Sequence, residues 1–196
     1  MGEWPEIMRQ DAPSTGEAEW DDATLVARAG DGDAHAFERL VMRYQRSMYR
    51  LALRMLGDAG DAEDVVQEVF LAAWRGLPEL RTDAAFVGWL YRMTTNRCLN
   101  ALRSRRPTTE LQPDSARSRR VDVQPERATE ISSELAALTI ALDGLTASQR
   151  ACWLLREAHG RSYEEIAAIL GTSSTAVRGR IARARAQLAE AMHPWR

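Results

Sequence analysis

One stretch near the C-terminal end of the sequence, residues 162–188, limits the fold more than any other. It begins with Ser162, followed three residues later by Glu165, which is the spacing of a capping box at a helix N-terminus. Gly171 then supplies a residue that ends a helix in the left-handed conformation at low cost. Four hydroxyl residues, which favour a new helix start, follow at 172–175. The stretch therefore predicts two short helices joined by a tight turn.

The second of these helices has an apolar side and a basic side. Apolar residues at helical spacing predict its buried side: Val177, Ile181, Ala184 and Leu188. We expect the opposite side to carry a hydroxyl, two small residues and two arginines: Thr175, Arg178, Gly179, Ala182 and Arg183. A helix with this exposed face can enter the major groove of DNA. A helical hairpin with a solvated basic face is the alternative.

Helical periodicity recurs along the chain, and no segment has the alternating pattern of a strand. We therefore predict an all-α protein with two small helical domains joined by a flexible linker, the C-terminal one with a helix-turn-helix. The boundaries are a disordered acidic tail over 1–20, a first domain over 21–106, a linker over 107–129 and a second domain over 130–193. Three prolines and the loss of any apolar stripe mark the linker.

The helices of the two domains are predicted from their caps and stripes. In the first domain we expect helices over about 22–30, 33–56, 61–77 and 84–105, with Asp61 as the cap of the third. In the second domain a helix over 131–142 is expected to precede one that starts at a second capping box, Thr146 with Gln149.

Charge is distributed unevenly, although the net charge is only −2. The first 35 residues are strongly acidic, whereas five arginines and no carboxylate lie between residues 84 and 109. All 26 basic residues are arginine, so each can bind a phosphate or a base edge with two parallel hydrogen bonds. This asymmetry indicates nucleic acid as a partner at one end and a mobile acidic tail at the other.

Several classes of function find no support in the sequence. No apolar run approaches the roughly 20 residues of a membrane span, and no signal peptide is present, so we expect a cytoplasmic protein without a membrane partner. Cys98 and Cys152 lie in apolar helical patterns and are expected to be buried thiols. No phosphate-binding loop, nucleophile motif or metal-ligand spacing occurs. We therefore expect no catalysis, cofactor, metal or small-molecule substrate.

Two polar surfaces of the first domain each have two interpretations. The outer face of the third helix, with Asp64, Gln67, Glu68 and Leu71, is either solvated or a docking surface for a partner protein. The fourth helix combines arginines, which grip phosphates, with asparagines, which can pair with adenine edges. The residues of this second surface are Arg92, Asn96, Arg97, Asn100 and Arg103. The loop before that helix, with Leu80, Arg81, Thr82 and Asp83, is suited to hold an unstacked base.

Taken together, residues 61–74, 86–106 and 145–188 resemble a bacterial RNA polymerase sigma factor of the extracytoplasmic-function (ECF) group. The resemblance covers residues 25–106 and 131–192. It implies that the third-helix face docks on core RNA polymerase, and that the fourth helix and its loop bind the minus-ten element of promoter DNA, with a flipped base in the loop. It also implies that Arg178 and Arg183 read the minus-thirty-five element, with Ser174 and Thr175 near the DNA backbone, and that an anti-sigma factor is a partner.

This chain departs from the family pattern on both DNA-reading helices. Gly179 and Ala182 lie where relatives often carry larger or polar residues, and Arg92 and Met93 lie where primary sigma factors have a pair of tryptophans. Two other functions stay open at this point. One is a helix-turn-helix regulator that acts without polymerase, and the other is a sigma-mimicking adaptor that sequesters a regulator.

Overall fold

The computed structural model describes residues 20–80, 82, 85–105 and 138–191. Every regular element in these ranges is helical, so the predicted all-α class is confirmed. The predicted acidic tail, except for its last residue, and the whole predicted linker lie outside the described residues. Within the described ranges, no helix has the length and apolarity needed to cross a membrane.

In the part of the chain that the structure describes, the helices follow one another in two groups of four. They are α1 (Asp22–Gly30), α2 (Ala34–Leu56), α3 (Ala59–Gly76), α4 (Phe86–Ser104), α5 (138–143), α6 (Ala147–Trp153), α7 (Tyr163–Leu170) and α8 (Ser174–Ala191). A 3-10 turn follows α3 at Leu77–Glu79, and a π-helical turn continues α6 at Leu154–Ala158. We call α1–α4 the first unit and α5–α8 the second unit.

The third helix begins two residues earlier than predicted, and its cap is Asp58 rather than Asp61. Asp58 has an extended backbone, and its carboxylate accepts a hydrogen bond from the Asp61 N–H at 2.9 Å. Both aspartates have the right chemistry for a cap, and only the backbone conformation decides between them. The Asp61 carboxylate instead forms an ion pair with Arg105, at the end of α4.

The largest fully buried side chain of the first unit is Phe86, at the start of α4. Its ring lies edge-on to Tyr44 of α2, with 5.9 Å between centroids, and 6.4 Å from Trp89. The long helix α2 packs against α1, α3 and α4, so it is the central element of the unit. The aliphatic side chains completely buried around it include Leu25, Leu40, Met48, Leu51 and Leu90.

The second unit has the caps that the sequence predicts. Thr146 and Gln149 form a capping box at α6, and Ser162 and Glu165 form another at α7. Gly171 ends α7 in the left-handed region, with φ of 61°. The predicted apolar side of α8 is buried against the rest of this unit, so the predicted helix-turn-helix is confirmed.

The two units contact each other, an arrangement that the sequence leaves open. Helix α4 of the first unit packs on α7 of the second, with smaller contacts from α2 to α6 and to the π-helical turn. Cys98 and Cys152 are both buried and free. Burial raises the pKa of the Cys98 thiol to about 12 and also raises that of Cys152, so both thiols stay protonated.

Candidate nucleic-acid interface

The outer face of α3 is presented to solvent because the opposite face is buried in the first unit. The buried side of α3 consists of Ala62, Val65, Val69, Phe70 and Ala73. Asp64, Gln67, Glu68 and Leu71 are all exposed, as their spacing predicts. Leu71 is 57% exposed, which makes it one of the few large apolar side chains in the described residues that lie open to water. This face thus combines an apolar centre with polar neighbours, a pattern typical of protein docking surfaces.

The polar side of α4 lies next to this α3 face. Asn96 and Asn100 are one helical turn apart and exposed, and Arg92 and Arg103 are exposed as well. Arg97 is half-buried, and its guanidinium forms an ion pair with Glu68 of α3. The sequence assigned Glu68 and Arg97 to different surfaces, and the structure joins these surfaces into one continuous polar area.

The loop between α3 and α4 is described only in part. Leu80 is half-buried and packs against the core, so much of its side chain is withdrawn from solvent. Thr82 is exposed, and its carbonyl accepts a hydrogen bond from the Ala85 N–H at 2.9 Å. Arg81 and Asp83, the other predicted residues of this loop, lie outside the described residues.

The start of α8 is fixed by hydrogen bonds from the preceding turn. The Ser173 hydroxyl accepts from the Ala176 N–H at 3.2 Å, so Ser173 caps α8. Ser174 and Gly179 are half-buried, whereas the other predicted reading residues are exposed: Thr175, Arg178, Ala182 and Arg183. The exposed face that the periodicity predicts is therefore present on α8.

The Arg178 guanidinium lies against two residues of α7 that no sequence pattern marks. Its carbon is 5.2 Å from the centroid of the Tyr163 ring, and Nη2 is 3.6 Å from Oε1 of Glu164. Arg156 lies over the same ring, at 4.8 Å. Tyr163 and Glu164 are close in sequence to the capping box, but no local pattern relates them to Arg178, fourteen or more residues away.

The ionisable groups near the helix-turn-helix serve structure. The Ser162 N–H donates to Oε2 of Glu165 at 2.6 Å, and this bond lowers the pKa of the Glu165 carboxyl. Arg185 lies on the flank of α8, where its Nη2 is 2.6 Å from Oε1 of Glu157. Within residues 20–191, as far as they are described, no three histidine, cysteine or carboxylate side chains are grouped to hold a metal ion.

Comparisons with known proteins identify the family of the chain. Residues 40–108 match the family model described as Sigma-70 region 2, and residues 135–188 match the model described as Sigma-70, region 4. The RNA polymerase sigma-H factor of Pseudomonas aeruginosa is 37% identical over an alignment that covers 88% of this chain and 94% of that protein. The ECF RNA polymerase sigma-E factor of Escherichia coli strain K12 is 36% identical, with 88% and 95% covered.

Solved structures give the same result. The structure of CnrH in complex with the cytosolic domain of CnrY has a TM-score of 0.69 at 32% identity, and covers 88% of this chain and 97% of that one. The sigma factor RpoE of Bartonella quintana, in complex with the anti-sigma factor NepR, has a TM-score of 0.61 at 23% identity, covering 80% and 96%, and shares the fold. The two family models match both halves of the chain, whereas a helix-turn-helix regulator without polymerase would account only for the second half. This chain belongs to the ECF group of RNA polymerase sigma factors and works as an alternative sigma factor, a regulatory protein of transcription initiation.

Proposed function

We propose that this sigma factor binds core RNA polymerase through the outer face of α3 and reads two promoter elements, one with α4 and one with α8. The observation that carries the proposal is the exposure of three polar faces, each on a helix whose opposite side is buried. The protein contributes binding and positioning, and the polymerase supplies the chemistry of RNA synthesis.

The α3 face suits a polymerase segment with both apolar and polar side chains. Leu71 offers an apolar contact, while Asp64 and Gln67 offer a carboxylate and an amide on the same side of the helix. A partner that covers Leu71 removes apolar surface from water, which favours binding, and the polar groups select its orientation. Glu68 extends this face towards α4 through its ion pair with Arg97.

Helix α4 and the loop before it are assigned to the minus-ten element. The exposed amides of Asn96 and Asn100 can form paired hydrogen bonds with adenine, and Arg92, Arg97 and Arg103 can bind phosphates. The residues assigned to a flipped base are Leu80, Arg81, Thr82 and Asp83.

Helix α8 is assigned to the minus-thirty-five element. Arg178 and Arg183 are exposed on α8, and Ser174 and Thr175 lie at its start, where phosphate oxygens can approach backbone N–H groups. The small residues Gly179 and Ala182 lie between the arginines, so the helix can come close to the floor of the groove.

A regulatory partner follows from the relatives. Because RpoE of Bartonella quintana was solved with the anti-sigma factor NepR, we propose that an anti-sigma protein also binds this chain. Purification of the tagged chain from its own cells, with and without inducing stress, tests this. A stoichiometric partner that leaves under stress supports it, and the absence of any partner in both conditions contradicts it.

The polymerase-binding face is tested by a double change, Asp64→Ala with Gln67→Ala, and the affinity for purified core enzyme is measured. We expect a loss of about ten-fold, or about 1.4 kcal/mol. Glu68 is left unchanged because its removal would also release Arg97. Gln45→Ala is the matched control, since Gln45 is an exposed glutamine on α2. Unchanged core affinity in the double variant, with helix content retained, would return this face to a solvated surface.

A further inference from the structure

A buried arginine of the second unit binds the end of a helix in the first unit. Arg150 of α6 is only 7% exposed, and its Nη1 donates to the main-chain carbonyl of Met55 at 2.8 Å. Met55 lies in the last turn of α2, where carbonyls lack helical partners and carry partial negative charge. The same guanidinium is held by Oδ1 of Asp143 at 3.0 Å. Burial of an arginine is costly unless it is paired, and the Met55 carbonyl is a partner only while the two units are in contact.

A second polar contact crosses the same boundary. Tyr91 of α4 is 4% exposed, and its hydroxyl lies 3.1 Å from Nδ1 of His159 in the second unit. The two rings meet edge-to-face with centroids 5.4 Å apart, and the Arg161 guanidinium lies 4.7 Å from the centroid of the Tyr91 ring. One tyrosine of the first unit is therefore in contact with two residues of the second.

The π-helical turn places these residues. The His159 N–H donates to the Leu154 carbonyl at 3.2 Å, and the Arg161 N–H donates to the Leu155 carbonyl at 2.9 Å. These wide turns replace the ordinary α-helical hydrogen bonds, and π-helical segments often occur at functional sites. The irregular end of α6 thus brings both His159 and Arg161 to Tyr91 of α4.

We propose that the Arg150–Met55 and Tyr91–His159 contacts form a latch that holds the two units closed and must open before both promoter elements are read together. The inference rests on the proposed function, in which α4 and α8 each read one element. In the closed form α4 packs on α7, and α7 packs on α8. Since the axes of packed helices lie about 8–10 Å apart, α4 and α8 are within roughly 20 Å of each other.

The spacing of the two elements exceeds what the closed form can span. Elements centred near minus ten and minus thirty-five are about 25 base pairs apart, roughly 85 Å along B-form DNA. The chain between Arg105 and Leu138 is long enough to permit separation of the units, because it can reach roughly 110 Å at full extension. Opening the latch is therefore both necessary and covalently possible.

The latch limits the distance between α4 and α8, and it does not cover the DNA-reading faces of these helices. Asn96 and Asn100 of α4, and Thr175 and Arg183 of α8, remain exposed in the closed form. The closed protein can thus meet a single element, but it cannot meet both elements of one promoter.

The boundary between the units is also incompletely packed, which suits a contact that opens. A cleft of about 460 Å³ lies beside Arg150, between the end of α4 and the start of α6. Its lining includes Leu99 and Leu102 of the first unit, and Leu145 and Thr146 of the second. Because this cleft is open to solvent, apolar packing does not close that part of the boundary.

The test uses the full chain with spin labels at Gln45→Cys on α2 and Gln187→Cys on α8, both exposed positions, while Cys98 and Cys152 are buried. The wild-type latch should give one narrow, short distance. Arg150→Ala should lower the closed-to-open ratio about ten-fold, and Tyr91→Phe, which keeps the ring but removes the hydroxyl, by a few-fold. Tyr49→Phe and Arg185→Ala, which remove the same groups at positions outside the two latch contacts, should leave the distance unchanged.

The second arm measures DNA binding by the same proteins. The probes are a promoter fragment selected with the wild-type holoenzyme and two versions in which one element is scrambled. Arg150→Ala should raise affinity for the intact fragment about ten-fold, since both units can then bind one molecule. Affinity for either scrambled fragment should not change.

Two results would overturn the latch. One is an unchanged spin-label distance in both latch variants. The other is an open form of Arg150→Ala whose affinity for the intact fragment is no higher than that of the wild type. If circular dichroism shows that Arg150→Ala loses helix, Tyr91→Phe decides. Failure to select any promoter would contradict the proposed function instead, and the distance measurement would still decide whether these contacts hold the units closed.

Discussion

Helices α4 and α8 both present polar faces that carry arginines, but the residues on their buried sides differ. Helix α4 buries a large aromatic core with Phe86 and Tyr91, and its polar face carries two asparagines. Helix α8 buries only aliphatic residues, and its face is a row of arginines separated by glycine and alanine. The first helix therefore depends on a few large side chains for its position, whereas the second depends on local caps and small contacts.

Both helices also hold one arginine in an ion pair with the preceding helix, and the consequences differ. In each unit an arginine of the reading helix pairs with a glutamate of the preceding helix: Arg97 with Glu68, and Arg178 with Glu164. Glu68 belongs to the face that we assign to polymerase, whereas Glu164 belongs to the helix-turn-helix itself. Binding of polymerase can therefore change the charge environment of α4 directly, and α8 is self-contained in this respect.

Phe86→Ala is the strongest test of whether the position of α4 depends on its aromatic core. Removal of this fully buried ring should lower the free energy of unfolding by about 3–5 kcal/mol. Denaturant unfolding followed by circular dichroism measures the change. Phe37→Ala is the matched control, because Phe37 is only half-buried and should cost less. Equal losses in the two variants would show that α4 does not rest on Phe86.

Arg178→Ala tests whether α8 reads DNA bases directly. We expect a loss of about 1–3 kcal/mol in binding of the minus-thirty-five element, with relaxed preference at one base pair. Holoenzyme binding to a series of single-base variants of a selected promoter measures it. Arg185→Ala is the control, since Arg185 lies on the flank and pairs with Glu157. A uniform loss on all sequences would make Arg178 a phosphate contact.

The small residues of α8 can be tested by Gly179→Ala. A Cβ at this position would meet Nη1 of Arg183 at 3.8 Å, which is ordinary contact, so the added methyl fits. Since glycine weakens a helix interior, the free energy of unfolding should rise by about 0.5–1 kcal/mol. Gly171→Ala should do the reverse, because φ at Gly171 is +61°. A loss of stability in Gly179→Ala, measured by thermal unfolding, would contradict this account.

The smallest effect concerns pH at the boundary between the units. Burial, together with Arg54, Arg161 and Arg50, lowers the pKa of His159 from 6.5 to about 4. The closed form holds neutral His159, so its advantage is fully present above about pH 6.5 and is lost as the pH falls towards 4. Tyr91 also faces the imidazole, but tyrosine and arginine keep their charge in this range.

The spin-label distance should therefore show more open form at pH 5.5 than at pH 7.5. His159→Phe should remove most of this dependence, because it removes the imidazole whose pKa burial lowers in the closed form. A dependence on pH that survives in His159→Phe would place its origin elsewhere.

The parts of this fold that the sequence could predict are those set by local chemistry. The capping boxes at Thr146 and Ser162 were predicted because each needs only two residues three positions apart. The apolar side of α8 and the outer face of α3 were predicted from helical spacing, which fixed which candidate residues face solvent. The choice of Asp61 as a cap was wrong because Asp58 offers the same chemistry nearby.

The contacts that the sequence could not predict join distant parts of the chain. Arg150 meets Met55 across 95 residues, and Tyr91 meets His159 across 68. Such distant pairs produce no local pattern of residues in the sequence, and the sequence does not distinguish a buried arginine from an exposed one. The roles of the individual polymerase- and DNA-binding residues stay predictions for a related reason, since they depend on partners outside the chain.

Run-off transcription tests whether this chain directs polymerase to promoters that carry both elements. The full chain and purified core polymerase are incubated with a library of templates in which the upstream region is randomised, and the templates that yield transcripts are sequenced. We expect two separate blocks of selected sequence, one near minus ten and one near minus thirty-five, with transcription lost when either is scrambled. Transcription from no template, or from templates with a single selected block, would contradict this expectation.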